Sequence, residues 1–308
     1  MPITRHLIAL AFATLGLGAF PTTSFAGPPL GGQQAPAFYR AALGSFEITA
    51  LSDGTVELPI DKLLVNTTPT EVRKALDQHY LRTPLATSVN AYLVNTGVRL
   101  ILIDAGGGSL FGPALGKLAT NLRAAGYEPE QVDEIYLTHL HPGHVGGLAV
   151  DGRRAFPNAV VRAEQEDVDF WLSSSNRDRA PADSKGFFDG AMASLNPYVE
   201  AGRLRPFSGD SELSPGIRAR ATRGHTIGHS IYEVESDGQR LVIWGDLIHV
   251  AALQFVRASI RRCSRRRLLT GKPVLPCGRG GRRPWSGILC MVNTLAVRLS
   301  LLQPFWSC

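Results

Sequence analysis

Residues 138–147 read Thr-His-Leu-His-Pro-Gly-His-Val-Gly-Gly. Three histidines, His139, His141 and His144, fall within six residues at the end of Val132–Thr138, a stretch of strand character. In an extended chain positions 139 and 141 project to the same side, and His144 follows after a turn. This is not the helical i,i+4 pair of a zinc protease. Imidazole nitrogen suits zinc and related transition metals. The plain alternative is a surface loop that happens to hold histidines. Five of the chain's eight histidines would then cluster without a reason, because His225 and His229 recur together in Gly224-His225-Thr226-Ile227-Gly228-His229.

A carboxylate should complete such a site. Asp246, in Trp244-Gly245-Asp246, ends an apolar run and can point into the same cleft. A carboxylate can bridge two metal ions, and paired ions can hold and activate a hydroxide between them. A turn aspartate capping a helix is the competing reading.

Outward from these loops the chain alternates hairpins and helices. Phe46–Leu51, a Ser52-Asp53-Gly54 turn and Thr55–Pro59 read as a hairpin. Thr68–Leu81 reads as a helix, Val89–Val94 and Arg99–Asp104 as a second hairpin, and Leu110–Ala125 as an amphipathic helix. A strand at Ala159–Ala163, helices at Gln165–Leu172 and Phe187–Glu200, and strands at Ile217–Ala221, Ser230–Val234 and Leu241–Trp244 follow. The pattern predicts a mixed α+β body whose sheets are not purely parallel.

The 308 residues carry a formal net charge of +6, but the average hides a split. Residues 256–308 contain Arg257, Arg261, Arg262, Arg265, Arg266, Arg267, Lys272, Arg279, Arg282, Arg283 and Arg298, and no Asp or Glu. All four cysteines (Cys263, Cys277, Cys290, Cys308) lie there too, without the C-x-x-C spacing of a zinc module. The preceding residues are therefore mildly acidic and cysteine-free. Residues 1–26 read as a secretory signal: Arg5 and His6, an apolar run from Leu7 to Phe20, and a small-x-small cleavage site at Ser24-Phe25-Ala26. The run is short for a span, which needs about 20 residues. A periplasmic or secreted protein is expected, with no membrane span once the signal is removed.

The histidine cluster, the Gly-His-Thr-x-Gly-His segment and Gly245-Asp246 together resemble the metallo-β-lactamase superfamily. Phe46–Gly54, Tyr92–Gly97, Leu110–Gly116, Ala124–Gly147, Gly186–Tyr198 and Gly245–Phe255 are further similar to its methyl parathion hydrolase group, exported organophosphate-hydrolysing enzymes. The resemblance covers residues 36–255. It implies a four-layer αβ/βα sandwich with a dinuclear zinc site at one edge of two sheets, often in a homodimer. It implies that His139, His141 and His225 bind the first metal, that Asp246 bridges and holds the attacking hydroxide, and that His144 binds the second. Asp104 would support the site from behind, with a strand-end turn residue as the alternative; His229 would be structural or supporting. It implies Phe111, Trp171, Phe187 and Phe188 as a substrate-binding wall for an aryl leaving group. Core packing is the competing reading for Phe187 and Phe188.

This chain departs from that pattern in three places. Position 143 is Gly where the family has an aspartate ligand of the second metal, Ile227 replaces a usual Pro, and no histidine follows His249. The resemblance ends at Phe255, where charge and cysteine use change together. The expected organisation is a signal at 1–26, a C-terminally incomplete hydrolase domain at 27–255, and an aberrant tail at 256–308. The tail reads as an out-of-frame translation of a GC-rich gene, with a nucleic-acid- or membrane-binding extension as the alternative. Counting ligands leaves one metal firmly held and one mostly absent, and loss of the last family strand predicts exposed apolar sheet surface. Three functions compete: hydrolysis of phosphotriesters of the methyl parathion type, hydrolysis of lactones or aryl esters, and an inactive metal-binding remnant. No nucleic-acid partner is expected.

Overall fold

The computed structural model describes residues 36–255 and three short strands beyond them. The expected leader, residues 1–26, and the side chains of the tail cysteines lie outside the described residues. The first half runs β1 (Phe38–Leu43), β2 (Phe46–Leu58), α1 (Ile60–Leu63), β3 (Leu64–Val65), α2 (Pro69–Asp77), β4 (Leu85–Asn95), β5 (Leu100–Ile103), α3 (Leu118–Ala124) and β6 (Glu134–Tyr136). Then come α4 (Pro142–Val145), β7 (Ala149–Val150), β8 (Arg153–Arg154), β9 (Val160–Arg162), α5 (Gln165–Trp171), α6 (Ser174–Arg179) and α7 (Lys185–Glu200). The last part holds β10 (Ser211–Ser214), β11 (Ile217–Ala221), β12 (Ser230–Ser236), β13 (Gln239–Ile243), α8 (Ala251–Gln254), β14 (Arg261–Arg262), β15 (Ile288–Met291) and β16 (Ala296–Arg298).

Two six-stranded mixed sheets result, ordered β1-β2-β4-β5-β6-β9 and β10-β11-β12-β13-β15-β16. Strand periodicity sorts the first sheet's side chains between two cores. Tyr92, Val94, Ile101, Ile103 and Tyr136 face the second sheet, where Ile217, Ala219, Tyr232, Val234, Leu241 and Ile243 meet them. Ala91, Leu93, Leu100, Leu102 and Ile135 face the other way, onto α3 and α7 through Leu118, Leu122, Ala191, Leu195 and Tyr198. Burial on both faces explains why Leu100–Ile103 is continuously apolar. Each such side chain contributes about 1.5–3 kcal/mol when fully buried. This is the mixed α+β architecture that the sequence pattern predicts, with α3 and α7 on the outer face of the first sheet and the second sheet on its other face. No helix among the described residues is long and apolar enough to cross a membrane.

The structure corrects several expected elements. Residues 46–58 are one strand, not a hairpin, and β2 pairs antiparallel with β4 along its length. Ser52-Asp53-Gly54 makes a bulge instead of a reversal. The fully buried Asp53 explains it, because its carboxylate accepts from Gly107 N (2.9 Å), Gly108 N (3.3 Å) and Leu118 N (2.9 Å). Bulges re-aim a side chain in this way. The expected helix 110–125 is broken into a 3-10 segment, Gly108–Ala114, and α3. Gly112 at φ 70 followed by Pro113 interrupts it. The expected helix 68–81 is α2, capped by Thr68 in a capping box with Glu71, and stops before His79, which is exposed. The edge of the second sheet is also not bare: β15 pairs parallel with β13, Arg240 to Ile243 against Ile288 to Met291.

Candidate metal centre

The cluster sits where strands of both sheets end. Beyond β6 the chain bends at Thr138 and runs without regular structure through His139 and Leu140, and His141 (φ −72, ψ 149) is the N-cap of the single-turn helix α4. Pro142 at the first helical position fixes that turn. The turn brings His144 back, with its amide donating to His141 O at 2.9 Å. His225 arrives from the loop between β11 and β12, and Asp246 from the turn after β13.

Ligand atoms of His139, His141, His225 and Asp246 all lie within 4.8 Å of one another, and all four residues are buried. His141 Nδ1 lies 3.0 Å from both His139 Nε2 and His225 Nε2. Asp246 Oδ2 lies 3.1 Å from His225 Nε2 and 3.7 Å from His139 Nε2. Zinc held tetrahedrally with bonds of about 2.0–2.1 Å needs ligand-to-ligand edges of about 3.3–3.4 Å. The observed spacings bracket that value, and three imidazoles with a carboxylate are a zinc donor set. The residues present therefore fit a metal.

The other side of Asp246 is poorer. Its Oδ1 lies 3.2 Å from His144 Nε2. His144 Nδ1 is 2.8 Å from Asp104 Oδ2, so Asp104 sits behind the imidazole. Asp104 directly follows β5 at φ 60, and its carboxylate also accepts from Thr138 N at 2.8 Å and from Thr138 Oγ1. A left-handed aspartate held by three groups is strain retained where a site needs it. At position 143 there is no side chain, and a Cβ there would meet only Phe111 Cε2, at 3.9 Å.

Charges in the cluster are strongly perturbed. Burial opposes the charge on Asp246, but His249, His144 and His225 hold its carboxyl well below the usual range. Burial likewise works against charge on His144, yet Asp246 and Asp104 push it up to about 10. His139 goes the other way: burial, then His144 and His141, keep it neutral. His229 is fully buried and neutral for the same first reason. Its Nε2 accepts from Asp246 N at 3.1 Å and its Nδ1 lies 2.8 Å from Thr222 Oγ1, so it fixes the backbone of the carboxylate.

The aromatic candidates separate. Trp171 and Phe187 both pack edge-on against His141, at 5.0 and 5.2 Å between ring centroids. Phe111 is 47% exposed and lies over position 143, at the mouth. Phe188 is placed in the core, against Trp171 (4.7 Å) and Phe170. Two residues escaped the sequence reading. His249 is buried with Nε2 3.0 Å from Asp246 Oδ2, its amide held by Gln254 Oε1 at 2.7 Å. The three-residue step from Asp246 to His249 was the available signal. Asp167 carried no motif, and it contacts both ligand-bearing loops.

Comparison with known proteins fits this geometry. The family profile described as the metallo-beta-lactamase superfamily matches residues 85–274. A solved structure, the hydrolase AbOPH of the beta-lactamase superfamily, is 36% identical, with TM-score 0.69 over 74% of this chain and 80% of that one. AidC, a dizinc quorum-quenching lactonase solved with a product, N-hexanoyl-L-homoserine, shares the fold at 24% identity and TM-score 0.66 over 72% of this chain and 78% of its own. A curated N-acyl homoserine lactonase of Bacillus cereus is 26% identical over 127 residues, 41% of this chain and 42% of that protein. The chain thus aligns with less than half the length of that curated relative. On the histidine–aspartate cluster, the two-sheet architecture and these matches, the chain belongs to the metallo-β-lactamase superfamily.

Proposed function

We propose that this chain is a zinc hydrolase whose substrates are lactones, with an N-acyl homoserine lactone as the leading class, and that it holds one ion firmly. The observation that carries the hydrolase reading is the convergence of His139, His141, His225 and Asp246 beside an aromatic wall. The lactone class is supported by the curated relative, itself an N-acyl homoserine lactonase. When bound, a divalent ion supplies a water acidic enough to attack at neutral pH and polarises the carbonyl.

The chain's own residues do the rest. The imidazoles of His139, His141 and His225 together with Asp246 would hold the ion, and His229 and Thr222 keep Asp246 aimed. Asp104 holds the Nδ1 proton of His144, which leaves Nε2 directed at Asp246 Oδ1. Trp171 and Phe187 shield the cluster from bulk water, and Phe111 offers apolar surface to an acyl chain at the mouth. The one-ion count follows from ligand number: His144 and a shared Asp246 are two protein ligands where position 143 supplies none.

A second reading, phosphotriester hydrolysis, is favoured by the same wall of Phe111, Trp171 and Phe187, which suits a flat aryl leaving group. We further propose export under the signal at residues 1–26, and an out-of-frame origin for residues 256–308, which sequencing the source gene across codon 256 decides. Purified chain is assayed with an acyl homoserine lactone, an aryl ester and an aryl phosphotriester, with added Zn²⁺ and with chelator. Lactone turnover that the chelator abolishes supports the main reading. Turnover of the phosphotriester alone supports the second. No turnover of any of the three makes the chain an inactive remnant.

A further inference from the structure

Asp167 is a fully buried carboxylate on α5 that binds no ligand atom of the cluster. Its Oδ2 accepts from Leu140 N at 3.1 Å and from Thr226 Oγ1 at 2.8 Å. Its Oδ1 accepts from Gly228 N at 2.7 Å. Leu140 lies between His139 and His141, and Thr226 follows His225 directly. One carboxylate therefore ties together the two loops that deliver the three imidazoles. One turn further along α5, Trp171 packs its ring edge-on against His141. The helix braces the cluster twice, at the backbone and at a ring.

The local sequence is shaped to this contact. A Cβ on Gly228 would lie 2.6 Å from Glu164 Oε2 and 2.7 Å from Asp167 N, so only glycine lets the loop reach the helix. Ile227, the residue that replaces the family's proline, sits between two residues that Asp167 holds. Hydrogen bonds to an ionised buried carboxylate are the strong kind. Without Asp167, three donors on two separate loops would lose their common acceptor, and the imidazoles would have to be ordered at the moment of metal binding.

We infer that Asp167 is a positioning residue that pre-orders the two ligand loops, so that zinc affinity depends on a side chain that never touches the ion. This rests on the metal-site reading above. Residues that orient ligands change metal affinity about 10–100-fold when removed.

Zinc affinity of the full chain is measured by competition with a chromophoric chelator, with no substrate present. Wild type is compared with Asp167→Ala, Thr226→Val and Leu122→Ala. Leu122 is buried under the first sheet on α3, away from the cluster, and its truncation controls for destabilisation alone. Urea unfolding of the metal-free proteins reports folding separately. The expected result is a loss of about 10–100-fold for Asp167→Ala, a smaller loss for Thr226→Val, and wild-type affinity for Leu122→Ala. Unchanged affinity in folded Asp167→Ala overturns the inference, as does an equal loss in Leu122→Ala. If Asp167→Ala does not fold, Thr226→Val decides, because it removes one donor at constant shape; unchanged affinity there overturns the inference. If wild type itself takes up no zinc, the metal-site reading falls and this inference with it; if only the variants match wild type, this inference falls alone.

Discussion

On the Oδ2 side of Asp246 three imidazoles stand close, His249 at 3.0 Å, His225 at 3.1 Å and His139 at 3.7 Å. On the Oδ1 side there is His144 at 3.2 Å, backed by Asp104, and an empty side-chain position at Gly143. Both sides share one carboxylate and one fold. They differ in how many donors the chain supplies, and a metal ion responds to that number before anything else. On the proposed reading, the rich side supplies the ligands for one ion and the poor side too few for a second.

The sharpest break removes a donor from the rich side. His141→Ala, which deletes the nitrogen 3.0 Å from both His139 and His225, should lower zinc affinity beyond the roughly 100-fold typical of supporting residues. Isothermal titration against a competing chelator checks it. His144→Ala is the matched change on the poor side, and it should move affinity for the firmly held ion by less than about tenfold, below the roughly 10–100-fold typical of supporting residues. Equal losses in the two variants would erase the distinction between the sides.

Gly143→Asp sharpens the comparison in the other direction. A Cβ fits there, with Phe111 Cε2 its nearest neighbour at 3.9 Å. The new carboxylate should raise zinc content per chain above that of wild type, with the added ion held more weakly than the first. Elemental analysis before and after dialysis reads both quantities.

The smallest expected effect is on stability against pH in the metal-free chain. His144 is raised from 6.5 to about 10, chiefly by Asp246 and Asp104 acting against burial. A histidine raised in the fold stabilises fully below its unfolded value and loses that contribution as pH rises through the folded one. Thermal stability should therefore decline between pH 6.5 and about 10, and Asp104→Asn should flatten the decline. Differential scanning calorimetry in the presence of chelator measures it.

The site was legible where chemistry repeats at short range. His139 and His141 recur at alternate positions just past a strand, and the Gly-His-Thr-x-Gly-His loop repeats histidine at a fixed step. The strands of the double core were legible because both faces are buried and the run is apolar throughout. Asp167 was not legible, because a lone aspartate in a helical stretch looks like any solvated residue until its three donors are in place. Phe187 and Phe188 could not be told apart in sequence, since neighbours on a helix point about 100° apart and only packing says which faces the cluster. Ser52-Asp53-Gly54 has turn chemistry, yet a long-range acceptor role for Asp53 turned it into a bulge.

Zinc content of the purified, dialysed full-length chain tests the comparison most directly. The geometry predicts close to one tightly bound ion per chain. Two ions that both survive dialysis would contradict it, and so would none.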